Sequence, residues 1–450
     1  MPLRDVFVTV VVFGLLPKIL SRPDIGLLLW CWLSYMNPHK LSWQFAHDFP
    51  FALITALAIL LGLLIWKEPK KVPWTSIPVI LLIFIGWIFL TTLFAIDQEG
   101  AWEQWNKVWK IQLMTFVVIM VMTTKWRINA MVSVIALSLG FYGFKGGIFT
   151  VLTGGAYAVY GPGGSFIAGN NEIGLALIMT IPLLRYLQLS VEQQRLKQGL
   201  GLAILLCVIS IVGTQSRGAL LGLAAMIFFL IAKSRKKGLL ILVLIVSIPT
   251  IIAFMPESWH ARMSTIKTYE QDDSAMGRIN AWTMAFNLAK DRIMGGGFEC
   301  FRPITFSLYA PNPDDVHDAH SIYFEILGEH GFVGLALFLL LWVSGWRAAS
   351  AAIRIAKRSD ETRWISDLCS MIQVSLIGYA TAGAFLGLAY FDLYYNLLAI
   401  LVLCTAILNR KSEVNTQEKD LENPLAARSR AIPRKFIKER KKQLIYDKEG

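Results

Sequence analysis

The chain has 450 residues, of which 55% are hydrophobic and only 16% charged, and its mean hydropathy is +0.53. A water-soluble protein of this size cannot hide so much apolar surface, so the composition excludes a soluble globular enzyme, a disordered chain and a secreted disulfide scaffold. The 43 Lys and Arg outnumber the 31 Asp and Glu, for a net charge of +12; they sit in short clusters between apolar runs, the pattern of membrane topology rather than of nucleic-acid binding.

Apolar runs fall at about 6–20, 24–36, 49–66, 75–96, 108–123, 128–149, 172–189, 199–213, 218–232, 238–255, 331–346, 364–386 and 390–409. They are continuous and near the length of a bilayer crossing, which points to helices and away from an alternating β-barrel. The first two are short and separated by Pro-containing sequence, so they form two half-spans, a hairpin or one broken span. The total is 12 or 13, with 12 as the working value. Residues 6–20 follow Arg4 with no small-x-small cleavage site, and Lys18, Arg22 and Pro23 come next; this predicts an uncleaved first membrane element. Of the five cysteines, Cys31, Cys207, Cys369 and Cys404 lie in apolar runs, and Cys300 lies in a polar segment without an obvious partner, so no disulfide framework is expected.

The loops set an orientation. Lys67, Lys70 and Lys71, then Lys125 and Arg127, Arg195 and Lys197, Lys233 to Lys237, and Arg347 to Arg358 mark basic loops that alternate with poorer ones, and the positive-inside rule makes them cytoplasmic. The tail 410–450 carries twelve basic and seven acidic residues and is expected on the same side, as a solvated segment or a surface helix; its basic 438–442 run could touch anionic lipid. The other face receives 37–48, 97–107, 150–171, the turn at 213–218, the long segment 256–330 and the turn near 387–389. In the long segment Ile279, Trp282, Phe286 and Ala289 recur at helical spacing, and Gly295–Gly297 are expected to end that helix.

Four groups of residues on that second face carry chemistry. Arg217, in Thr214-Gln215-Ser216-Arg217-Gly218, is either an arginine snorkelling to the headgroups or a guanidinium that grips phosphate at a helix N-terminus starting at Gly218. Arg278 gains weight from lying on the same face. His317 and His320, among Asp314, Asp315 and Asp318, read as a metal site, as one acid–base histidine, or in the case of His317 as a structural residue. Gly161–Glu172 is a Gly-rich entry to a helix, compatible both with a turn capped by Asn170 or Asn171 and with close approach to a ligand. Lys107, Lys110, Lys145, Arg262, Arg292 and Arg302 are weaker basic candidates on this side. The sequence has no P-loop, Rossmann fingerprint or HExxH pattern.

Asn170-Asn171-Glu172, Ser216-Arg217-Gly218, Arg278 with Trp282, Gly295–Gly297 and the stretch from His320 through Glu325, Glu329, Gly331 and Gly334 to Leu335 resemble the bacterial O-antigen ligase and polymerase superfamily over roughly residues 160–410. Ser321 stands where that family more often has Asn. Arg22-Pro23-Asp24-Ile25-Gly26 and Met36-Asn37-Pro38-His39 resemble the subgroup of O-glycosylation ligases associated with exosortase systems. The resemblance implies an all-α polytopic membrane protein of the lipid-carrier-dependent (GT-C-like) glycosyltransferase type. It implies 1–160 as N-terminal transmembrane helices, 161–409 as the ligase-like region containing the periplasmic loop 256–330, and 410–450 as the tail.

The activity so implied is transfer of a glycan from undecaprenyl pyrophosphate to a sugar hydroxyl of lipid A–core at the periplasmic face of the inner membrane. It would need no cofactor and no metal, and a single displacement would invert the anomeric centre. Arg217 and Arg278 would stabilise the growing pyrophosphate charge, and His320 would assist the acceptor hydroxyl, a service worth about 10²–10⁴-fold in rate. Asn170, Asn171, His317 and Tyr323 are secondary candidates. An O-antigen polymerase or a protein O-oligosaccharyltransferase would use the same donor and the same residues. A lipid-linked glycan transporter would instead need ionisable residues within the membrane facing a cavity.

Overall fold

A computed structural model describes residues 3–233, 237–238, 242, 245, 249, 253–257, 259–260 and 273–422. The chain divides into Met1–Cys404 and Thr405–Gly450; in the second, residues 405–422 are helical, and the basic 438–442 run lies outside the described residues, as does Arg262. The described residues form helices and contain no strand: α1 Leu3–Ser21, α2 Pro23–Met36, α3 Phe45–Asp48, α4 Phe51–Ile65, α5 Ser76–Leu93, α6 Gln98–Val121, α7 Lys125–Leu152, α8 Asn170–Ser190, α9 Gln194–Gly213, α10 Arg217–Lys233, α11 Asp273–Asp291, α12 Pro303–Tyr309, α13 Ile322–Ala356, α14 Arg363–Ala382 and α15 Asp392–Glu422.

The chain is an all-α polytopic membrane protein. Among the described residues seven helical stretches are long and apolar enough to cross a bilayer, from Ser76–Leu93 to Asp392–Glu413, with Phe51–Ile65 a shorter apolar helix. The expected 12 exceeds this for physical reasons. Leu3–Ser21 carries Arg4, Asp5 and Lys18, Pro23–Met36 has only 14 residues, and most of the 238–255 run lies outside the described residues. The first two runs are separate helices, broken at Arg22–Pro23, where proline starts the second at its N1 position.

Burial sorts centre from rim. Asn170–Ser190 is 78% buried, against 28% for Gln194–Gly213, whose remaining surface faces outward as lipid-facing helices do. α8 packs against α7, α9, α10 and α14, and α13 packs against α5, α11 and α14. Close approach depends on glycine: a methyl at Gly143 would come 2.9 Å from a Leu177 methyl, and Gly147 lies against the Leu206 backbone.

Three sequence expectations are corrected here. Residues 97–107 are not a loop: Asp97 caps Gly100 N–H and α6 begins at Gln98, its first turns polar because they are largely exposed. α11 exists, but its buried face is Ala281, Met284, Ala285 and Leu288, whereas Ile279 and Phe286 are exposed. Ala281, Met284 and Leu288 pack with Cys300 and Phe306 of the following segment, which turns the helix away from the face its larger residues suggest. α11 also ends at Asp291, before Gly295–Gly297. Those glycines instead make a tight crossing with α13. Gly295 and Gly297 have φ of 65° and 79°, Gly296 N–H donates to Gly328 O at 2.8 Å and Gly297 N–H to Glu329 O at 2.8 Å. Gly331 breaks α13 with φ 67°, ψ −172°, lying against Ile293 O where no side chain fits.

Candidate functional site

The loops assigned to the second face meet at one end of Met1–Cys404. Lys40 lies against Gly164, Val159 N–H donates to Gly213 O at 2.9 Å, Asn170 Nδ2 donates to Thr214 O at 2.9 Å, and Ile96 N–H donates to Gly296 O at 2.7 Å. Gly218 packs on Phe385, and Gly383 on Ile322, with no room for a methyl at either glycine. These contacts gather three helix N-termini, those of α8, α10 and α13, in one place. Helix N-termini present unpaired N–H groups and a positive dipole end, so their convergence favours an anion.

Arg217 is the first residue of α10, one position earlier than the sequence suggests. It follows Gln215, whose φ is 56°, and Ser216, whose hydroxyl accepts from Ala219 N–H at 3.1 Å in the manner of an N-cap. Arg217 and Arg278 are both half-buried. Arg278, in the second turn of α11, interacts electrostatically with Glu172 of α8 and with His320. The Asn170–Glu172 segment thus touches the Arg217 turn through Asn170 and feels the charge of Arg278 at Glu172. Asn171 is the second residue of the same helix and is half-buried.

α11 also builds the platform for His320. Asn280 Nδ2 donates to Asn312 O and Asp315 O at 2.8 and 2.9 Å, and its Oδ1 accepts from Asn312 N–H at 2.9 Å. Trp282 Nε1 donates to Ala319 O at 2.7 Å, and its ring stacks on Phe324, 4.8 Å away and tilted by 7°. His320 is thereby held in the left-handed region, φ 42°. A residue kept there by its surroundings costs about 1–3 kcal/mol, and such residues cluster at functional sites. His320 is half-buried. Burial first, and Arg278 second, hold its pKa below the ordinary histidine value, so the imidazole is neutral and able to take a proton at pH 7.

The secondary candidates separate. His317 lies against Gly277, with Nδ1 2.8 Å from Asp315 Oδ1, beside the platform. Tyr323 donates its hydroxyl to Ala380 O at 2.8 Å, which ties α13 to α14. Among the weaker cations, Arg302 pairs with Asp97 at 2.6 Å, Arg292 donates to Phe94 O at 2.8 Å and Lys107 pairs with Glu103 at 2.9 Å. Among the described residues no three His, Cys, Asp or Glu side chains gather into a metal-binding group.

Sequence reasoning missed a buried polar chain one turn below the site. Thr91 Oγ1 hydrogen-bonds His330 Nδ1 at 2.6 Å, His330 Nε2 hydrogen-bonds Tyr390 Oη at 2.7 Å, and Tyr390 donates to Glu329 Oε2 at 2.5 Å. Glu329 Oε1 accepts from Glu299 N–H at 3.1 Å, Trp87 Nε1 donates to His330 O at 2.9 Å, and Phe298 packs edge-on against the imidazole. Glu329 and His330 stood inside a recognisable motif; their partners on α5 and near Tyr390 are distant in sequence and carry no local signal.

Residues 202–339 match the family described as O-antigen ligase, and residues 3–191 match a family of unknown function, DUF5935. No curated protein matches the chain significantly. Residues 202–339 therefore form a domain of the O-antigen ligase superfamily. That domain implies, in general terms, a glycosyltransferase-like ligase or polymerase role in O-antigen processing, with lipid-linked glycan and lipid A–core as the family's general partners. The match includes Arg217, Arg278, His320 and the Glu329–Gly334 motif, whereas the N-terminal match carries no function.

Proposed function

We propose that this protein is an O-antigen ligase that transfers a glycan from undecaprenyl pyrophosphate to a sugar hydroxyl of lipid A–core, at the periplasmic face of the bacterial inner membrane. The observation that carries the reading is the meeting of three helix N-termini, Arg217, Arg278 and a neutral His320 at one end of the helical bundle. Arginines and helix dipoles suit a pyrophosphate whose charge grows as the glycosidic bond breaks, without a divalent cation. His320 takes the proton of the attacking hydroxyl, and one displacement inverts the anomeric centre. No nucleotide or other cofactor enters this scheme.

Purified protein is incubated with the lipid-linked glycan and, separately, with lipid A–core, a second lipid-linked glycan or a protein acceptor, each with and without EDTA. Ligation to lipid A–core in excess EDTA is the expected result. Product only with the second glycan makes the protein a polymerase. Product only with the protein acceptor makes it a protein O-oligosaccharyltransferase. Activity lost to EDTA and restored by Mg²⁺ or Mn²⁺ overturns the metal-independent scheme.

A further inference from the structure

Glu325 sits five residues after His320, on the first turns of α13. Ser321 is the N-cap, which puts His320 at N′ and Glu325 at N4. These are the two positions whose side chains approach each other at a helix start. Glu325 N–H donates to Ser321 O at 2.8 Å, closing that first turn. Its Oε2 accepts from Ala389 N–H at 3.2 Å, and Gly387 runs so close that a methyl there would sit 3.3 Å from the same oxygen. The 386–391 segment follows the Gly383–Phe385 turn, on which Gly218, the neighbour of Arg217, packs. Glu325 therefore lies between the His320 side of the site and the Arg217 side, anchored to a rigid loop through one oxygen and still partly exposed.

Its charge environment is unusual. Among the described residues no cation pairs with Glu325; the charged groups outside α13 that interact with it are Asp318 and Glu299, both acidic. A carboxylate set between helices costs several kcal/mol unless it is compensated. Glu329, one turn deeper, has hydrogen bonds to both oxygens and serves the fold. Glu325 makes one such bond and remains partly exposed. An acidic side chain whose charged neighbours are Asp318 and Glu299 brings no cation to the pyrophosphate half of the site. Sugar hydroxyls are donors that a carboxylate binds well.

Building on the proposed reaction, we infer that Glu325 is the acceptor-binding carboxylate: it accepts hydrogen bonds from hydroxyls of the incoming sugar and so selects which neighbouring hydroxyl reaches His320. The ligand class is a sugar with a second hydroxyl beside the reacting one. In the step itself the acceptor O–H proton passes to the His320 imidazole. The acceptor oxygen bonds to the anomeric carbon, the anomeric carbon–phosphate oxygen bond breaks, and its electron pair leaves on the diphosphate. Glu325 takes no proton.

The test uses full-length Glu325→Ala, Glu325→Asp and Glu325→Gln proteins, with kcat and KM measured for each substrate. The acceptor KM of Glu325→Ala is expected to rise about 10- to 100-fold, the equivalent of one hydrogen bond to a charged group. The donor KM should stay within about threefold, and the pH profile of kcat/KM should keep its shape; Glu325→Gln, which still accepts from Ala389 N–H, should be intermediate in acceptor KM. Should Glu325→Ala fail to fold, Glu325→Gln decides: an acceptor KM equal to wild type overturns the assignment. A donor KM that rises equally makes the residue structural, and loss of the acidic limb makes it a base; either result also overturns it. Failure of the ligase reading is separate, because it appears as wild-type protein that rejects lipid A–core, whereas the Glu325 comparison can be run on any accepted hydroxyl.

Discussion

His320 combines a constrained backbone with a shifted acid–base group, and the two must be tested apart. Its pKa is held below the usual histidine value by burial and by Arg278, so the reactive neutral form persists as pH falls past that value. The acidic limb of kcat/KM is expected below pH 6.5, which a pH–rate series checks, and Arg278→Ala should move that limb upward. The sign for stability follows the same linkage: the contribution of neutral His320 is complete above the unfolded histidine pKa and is lost as pH falls from there through the folded value. His320→Ala should abolish turnover while carrier binding survives, and His317→Ala should do less. His320→Asn is the better control, because asparagine accepts the left-handed backbone more readily than alanine. Arg217→Ala and Arg278→Ala should each weaken carrier binding by about 1.5–3 kcal/mol, with lysine restoring only part because it lacks the planar fork. Undiminished carrier binding in either alanine protein removes that arginine from the site.

At the scale of elements, two polar assemblies fasten helices at opposite ends. At the end away from the site, Asp24 is fully buried between Arg22 at 2.8 Å and Arg127 at 3.2 Å, and Arg127 also holds Glu68 at 2.5 Å and lies over Trp66. This joins α2, α7 and the α4–α5 connection. Asp24→Asn should cost about 3–5 kcal/mol, because breaking one member of a buried pair strands the other, and thermal unfolding in detergent reads that loss. At the site end, Glu329→Ala removes one of the Tyr390 hydroxyl's two partners and leaves the Glu299 N–H without its carboxylate, a loss of about 1–3 kcal/mol for the stranded donor. Glu329→Gln should be milder, since its amide can donate to Tyr390 Oη while Tyr390 donates to His330 Nε2 and its oxygen still accepts from Glu299 N–H. Much of this scale was legible beforehand: apolar runs marked the helices, and the contiguous His320–Leu335 motif drew attention to the start of α13. The buried face of Asp273–Asp291 was not, because small residues pack inward there while Ile279 and Phe286 stay exposed. Nor was Tyr390, which stands 60 residues from His330 in sequence; only folding brings them together.

For the whole molecule, the alternation of basic loops predicts that α11 and α12 face the periplasm and that the α13–α14 connection faces the cytoplasm. Ser307→Cys and Ser359→Cys report on this, both positions being exposed. The five native cysteines are buried and unpaired, so they add little background. An impermeant reagent outside the inner membrane should label the first and spare the second; the opposite result inverts the orientation and moves the proposed site to the cytoplasm. The bonds from Trp87 and Thr91 to His330 also impose a schedule on synthesis. Thr91 and His330 are separated by 239 residues, which at about 5–20 residues per second takes the ribosome roughly ten to fifty seconds. Through that interval α5 is already made while its hydroxyl and indole wait for an imidazole and a carbonyl not yet translated. A nascent chain stopped before His330 lacks the partners that lock α5, so quality-control proteases have their best opportunity within this window.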